Sequence, residues 1–159
     1  MKNKLIINFS KTADFPDLDY YFKYIVRQAI KKTLKYEGFG ADAEVSVTLC
    51  DNSYIKKLNK KYRNKNTPTD VLSFPMYDLT VEDESTFIEG ETVMLGDIVI
   101  SLERAEAQAK EIGNTFIEEV AFLTVHSTLH LLGYDHEAGK DEEEAQCLAQ
   151  KEIMSALDI

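Results

Sequence analysis

Residues 115–132, TFIEEVAFLTVHSTLHLL, carry apolar side chains around nearly the whole helical circumference, with no glycine or proline to interrupt them. A helix that is apolar on all sides cannot rest on a surface, so it has to run through the interior with other elements packed around it. Both of its ends are marked. Thr115, followed three residues later by Glu118, has the form of a capping box, and Gly133 stops the helix. The remaining chain must therefore supply the layers that cover one central helix.

Those layers can be read from periodicity. Residues 4–9 form a short apolar strand, and a turn containing Pro16 leads to a helix from about Asp19 to Tyr36, ended by Gly38 and Gly40. Phe22, Ile25, Val26, Ala29, Ile30 and Thr33 recur at helical spacing, which turns Lys23, Arg27 and Lys31 to the wet side. Residues 44–50 alternate Val45, Val47 and Leu49 inward with Ser46 and Thr48 outward, the pattern of a half-buried strand. Asp51 or Ser53 caps the next helix, which points Ile55, Leu58 and Tyr62 inward and fades over residues 63–68. Residues 71–74 are a short strand stopped by Pro75, which belongs at a sheet edge because it has no N–H to donate. Residues 77–91 read as an exposed acidic loop, and 92–101 as a strand in which Gly96-Asp97 marks a bulge or a close backbone approach. Ser101 opens a helix rich in Ala and Glu. Asp141 opens the last one, with Ala145, Leu148, Ala149, Ile153, Ala156 and Leu157 on one face. Three or four strands among about five helices predict an α+β fold, a small mixed sheet covered by helices in a single domain over residues 1–159.

Composition excludes several classes. With 44% hydrophobic and 29% charged residues, seven Gly and three Pro in 159 residues, the chain is neither disordered nor low in complexity. It has no apolar run long enough for a membrane span, and too short an apolar N-terminal segment for a signal peptide. Cys50 and Cys147 form no C-x-x-C pair, which fits a reducing cytoplasm. The net charge of −10 argues at first against a polyanionic partner. The charge is blocked, however. Acid gathers in residues 78–91 and 137–144, whereas Lys56, Lys57, Lys60, Lys61, Arg63 and Lys65 fall in an acid-free run, as do Lys23, Arg27, Lys31, Lys32 and Lys35. A basic surface can exist on this acidic protein.

The three histidines, His126, His130 and His136, all lie in the stretch HSTLHLLGYDH. Residues four apart share a helix face, so His126 and His130 can aim at one point, and Gly133 lets the chain turn to bring His136 back. Three imidazoles suit one zinc ion with a fourth position open, the arrangement of a catalytic site. A single histidine in an apolar helix is usually a packed residue hydrogen-bonded to backbone. All three at a known ligand spacing favour metal binding. Asp135 is the natural carboxylate to orient a ligand imidazole from behind, although an aspartate in an exposed turn serves that turn equally well. The spacing matches that of metzincin proteases except that Ser127 stands where their general-base glutamate would be, and a serine cannot take a proton at neutral pH. That proteolysis is not what the site runs.

The histidine stretch resembles the signature of the YbeY endoribonucleases, bacterial factors of ribosomal-RNA maturation. Tyr62-Arg63 followed by residues 68–75, PTDVLSFP, resembles that family's second characteristic segment, and residues 95–98, LGDI, a third, all in the family's order. The resemblance implies a zincin-like α+β fold, one Zn2+ per chain on His126, His130 and His136, and cleavage of single-stranded RNA, including maturation of the small-subunit RNA 3′ end and ribosome quality control. It also implies a functional role for Arg63. A guanidinium is always protonated and bidentate, and can clamp the phosphate as negative charge builds up during cleavage.

Beside such a site, Lys56, Lys57, Lys60, Lys61 and Lys65 are expected to track RNA rather than form an ordinary solvated face. Tyr62 is expected to be a core contact, and Asp70 and Ser73 to shape the cleft. The acidic segment would repel RNA if it folded over the site. The implied partners are ribosomal RNA and the ribosome or its proteins, with no membrane and no DNA. Two other readings remain: a ribosome-associated RNA-binding factor with a structural metal, and a metal-dependent hydrolase of another substrate class.

Overall fold

The computed structural model of the chain describes residues 3–12, 19–77 and 90–159, His136 among them by its backbone alone. The turn at Pro16 and most of the acidic segment, residues 78–89, lie outside the described residues. The chain order is β1 (Leu5–Lys11), α1 (Tyr20–Tyr36), β2 (Ala43–Cys50), α2 (Asn52–Arg63), β3 (Val71–Pro75), β4 (Val93–Ser101), α3 (Leu102–Ile112), α4 (Phe116–Leu131), a 3-10 turn at His136–Ala138, and α5 (Lys140–Ser155). The sheet order is β1-β2-β4-β3. β1 and β4 both run parallel to β2, and β3 closes the sheet antiparallel to β4. The sheet is mixed and the class α+β, as the element pattern predicts.

Helix ends follow local chemistry. The Asp19 and Asp51 carboxylates accept from the amides of Phe22 and Tyr54, at 2.8 and 2.9 Å. Thr115 and Glu118 satisfy each other's backbone in a full capping box. These bonds fill donors that the first turn of a helix leaves without partners.

The core lies between the sheet and the helices. Val26 and Ile30 of α1 meet Val45 and Val47 of β2, Ile98 and Ile100 of β4, and Val120 and Leu123 of α4. α4 packs against α1, α3, α5, β3 and β4, and its buried Thr124 and Thr128 hydroxyls donate to the carbonyls four residues back, at 2.8 and 2.7 Å. Cys50 is buried and Cys147 exposed, both as free thiols, and burial pushes the Cys50 thiol up to about 12.

β4 contains the irregularity that its Gly96-Asp97 pair foreshadows. Glu44 pairs with Met94 but Val45 with Gly96, so Leu95 is the extra residue of a bulge. A Cβ on Gly96 would stand 2.2 Å from the carbonyl oxygen of Phe74 on β3. Glycine is thus what lets β3 lie against β4.

Two helix faces differ from the periodicity reading. On α2 Ile55 is buried and Leu58 packs half-buried beside it as expected, but Asn59 is buried with them, while Tyr62 is 57% exposed and meets Phe74 edge-on. The Asn59 amide donates to the carbonyl of Thr67 at 2.9 Å, and this polar tie claims the inner face. On α5, which starts at Lys140, Ala145, Leu148 and Ala156 point outward, and Gln146 and Gln150 are buried beside Ala149 and Ile153. Hydrophobic spacing cannot anticipate that two amides take inner positions.

Candidate metal and phosphate site

His126 and His130 occupy successive turns of α4 and direct their Nε2 atoms to one place, 3.2 Å apart, with the rings inclined at 63°. Two nitrogens bound at about 2.0–2.1 Å to a tetrahedral ion would lie about 3.3 Å apart, so this pair fits such an ion. Gly133 ends the helix with φ 105°, a conformation that favours glycine, while its own N–H and that of Tyr134 donate to the carbonyls of His130 and Leu129, both at 3.0 Å. The chain reverses there, and His136 opens the 3-10 turn. The His136 side chain lies outside the described set.

The back of the His126 ring is held by α5. Nδ1 lies 2.5 Å from the Gln150 amide oxygen, and Gln146 is packed against the same pair, its Nε2 3.2 Å from Nδ1 and 3.4 Å from Gln150 Oε1. A proton on Nδ1, donated to Gln150, leaves Nε2 with a lone pair toward the cleft. Asp135, by contrast, is exposed and accepts from the Glu137 backbone N–H at 3.0 Å, shaping the 3-10 turn. Ser127 is fully buried and its hydroxyl is hydrogen-bonded to that of Ser73 on β3. The residue that replaces a protease's base therefore fastens the histidine helix to the sheet edge.

These elements border one cleft of about 980 Å³. His126 and His130 line it with Gly133, Tyr134, Asp135 and Glu137 from α4 and the turn after it, and Arg63, Lys65, Asp70 and Ser73 from α2, β3 and the segment between them. Arg63 sits in the last turn of α2, just before the left-handed Asn64, φ 57°. Its guanidinium is 3.5 Å from the Glu137 carboxylate, and both groups are substantially solvated. Asp70 is held at both oxygens: Oδ1 accepts from the N–H of Val71 at 2.8 Å and Oδ2 from Gln108 at 3.1 Å. The same Gln108 nitrogen donates to the buried Glu119 at 3.2 Å, whose carboxyl burial pushes above the usual range. Tyr134, raised by burial and by its hydrogen bond to Glu37, donates its hydroxyl there at 2.7 Å.

The cleft thus gathers His126, His130, Arg63, Lys65 and Asp135 from the residues singled out in the sequence. Lys56, Lys57, Lys60 and Lys61 are exposed along α2 and do not line it. Sequence reasoning missed Gln146 and Gln150. Their only signal was two glutamines four apart, one helical turn, which single-sequence periodicity reads as a polar face.

The geometry agrees with the comparisons. The family model described as Endoribonuclease YbeY matches residues 7–158. A relative from Carboxydothermus hydrogenoformans named Endoribonuclease YbeY is 49% identical over 148 residues, covering 92% of this chain and 93% of that one. Relatives of the same name from Clostridium botulinum strain Loch Maree and Caldicellulosiruptor bescii are 46% and 40% identical, covering 89% and 92% of this chain and 92% and 93% of theirs. The solution structure of TM1509 from Thermotoga maritima superposes with a TM-score of 0.59 at 28% identity, covering 94% of this chain and 87% of that one. Two of the three sequence segments line one cleft and the third, on β4, pairs with the strand that borders it; the chain belongs to the YbeY family of metal-dependent, RNA-processing endoribonucleases.

Proposed function

We propose that the chain is a zinc-dependent endoribonuclease acting on single-stranded RNA in ribosomal-RNA maturation, as one domain working in the cytoplasm. The observation that carries the reading is the convergence of His126 and His130 on one point of a cleft that Arg63 also lines. His126 and His130 hold the ion, with His136 as the third ligand. A zinc ion bound there supplies Lewis acidity to a water or a phosphoryl oxygen. Gln150 holds the His126 ring in the tautomer that ligates. Arg63 binds the scissile phosphate, which takes the place of the Glu137 carboxylate, and its fixed charge stabilises the extra negative charge of the cleavage transition state. Lys65 adds a cation on the path of the strand. Among the described residues no helix is long and apolar enough to cross a membrane. Ser127, buried against Ser73, has no means of replacing a protease base, which weighs against peptide hydrolysis.

The test pairs metal content with cleavage of single-stranded RNA in the native chain, in His130→Ala and after chelation. Native protein should hold about one zinc per chain, and cleavage should fall about 100-fold or more in both other samples. Cleavage persisting in both would identify a contaminating nuclease and leave a ribosome-binding factor with a structural metal.

A further inference from the structure

We propose that the outer face of α1 is a second binding surface for single-stranded RNA, separate from the cleft and serving longer strands. α1 has no acidic residue over its whole length in a chain of net charge −10, so its surface opposes the charge of the rest of the molecule. Its outward stripe consists of Tyr20, Lys23, Tyr24, Arg27, Lys31 and Lys35, all exposed, and none of them lines the cleft. Tyr20 is 84% and Tyr24 45% exposed, with their rings stacked at 6.5 Å and 21°. Two large aromatic rings left in water contribute little to the fold and present flat faces. The cations beside them are held in place: the Lys23 ammonium lies 5.7 Å from the Phe9 ring, and Arg27 Nη2 donates to the carbonyl of Leu5 at 2.8 Å, leaving further guanidinium N–H groups for a phosphate.

Aromatic faces interleaved with cations are the chemistry of sequence-tolerant single-strand binding, in which bases stack and phosphates displace counterions. A basic helix can also lie on an anionic membrane, but that needs apolar side chains to insert. On α1 they are committed elsewhere: Phe22, Ile25, Val26, Ala29, Ile30 and Leu34 are all buried in the core. RNA is the occupant the stripe fits. The placement agrees, because Glu37 at the C-terminal end of α1 accepts the hydrogen bond of Tyr134, a cleft-lining residue. From there the 17-residue helix extends about 25 Å to Tyr20.

The test is equilibrium binding of fluorescent oligouridylates of about 8 and about 24 nucleotides to the full chain, with oligonucleotide integrity checked on a gel. The native chain should bind the longer strand several-fold more tightly. A Tyr20→Ala, Tyr24→Ala double variant should lose about tenfold on the longer strand and little on the shorter. Lys23→Gln with Lys31→Gln should weaken the same interaction and lower its salt slope by about one to two. These positions are exposed, so both variants should keep the native melting temperature. Binding of the longer strand at native strength by both variants overturns the proposal, as does equal native affinity for the two lengths. If the variants instead lose binding to phosphatidylglycerol vesicles alone, the stripe is a membrane surface. None of these outcomes depends on cleavage, so the surface and the cleft chemistry are judged separately.

Discussion

Gln150 shows how much one uncharged side chain decides at this site. Its amide oxygen, 2.5 Å from His126 Nδ1, orients the ring and offers an acceptor for a proton on Nδ1, without adding a negative charge behind the proposed ligand. Gln150→Leu should therefore lower zinc affinity about 10- to 100-fold, read by competition with a chromogenic chelator, while Gln150→Glu should restore much of it. Glu119 makes a different statement. It is 3% exposed, its Oε2 has no hydrogen-bond partner among the described residues, and burial raises its pKa. A carboxyl whose folded pKa exceeds its unfolded value binds more protons when folded, so its contribution to stability falls as pH rises through the interval between the two. Glu119→Gln removes that loss and keeps an acceptor for Gln108. Thermal melts should show the variant ahead of the native chain at about pH 7, with the difference shrinking toward about pH 4.

At the scale of elements, the cleft depends on β3, a short edge strand whose position is set by β4. The bulge at Leu95 and the absence of a side chain at Gly96 bring the Phe74 carbonyl within a distance that no Cβ tolerates. Gly96→Ala also meets a backbone at φ 147°, where L residues are strained, so a loss of about 3 kcal/mol or more is expected in denaturant melts. Activity should fall further than stability explains, because β3 carries Ser73, which fastens α4. The approximate strand limits and the capping of α2 and α4 were legible in the sequence because they are local: an acceptor side chain, a turn glycine, a two-residue alternation. The inner faces of α2 and α5 were not. Asn59 and Gln150 turn inward for hydrogen-bond partners on a loop and on α4 that no local pattern encodes.

For the molecule as a whole, charge is partitioned rather than averaged. Arg63 and Lys65 line the cleft, and Glu137, from the turn after α4, reaches Arg63 at 3.5 Å, an acidic group where the proposed phosphate would bind. Being solvated, the pair is worth only about 0–1 kcal/mol, so a phosphate can displace it. Glu137→Gln should tighten single-stranded RNA binding about two- to fivefold at low ionic strength, and titrations above about 0.5 M salt should erase the gain, since screening removes both the competitor and the attraction. An unchanged affinity at low salt would mean that Arg63 does not receive the phosphate.

By itself, the sequence determined the α+β class, the central helix, the bulged strand and the placing of two histidines on one helical face. Each follows from spacing within one element, where backbone geometry leaves few choices. Only the tertiary structure decided that Arg63 lines one cleft with the histidines while the lysines of its helix do not, that the Ser127 hydroxyl is bonded to Ser73 on β3, and that two glutamines stand behind His126. Those relations join residues far apart in the chain. They are set by how layers pack and by the need of every buried polar group for a partner, which no single segment can express.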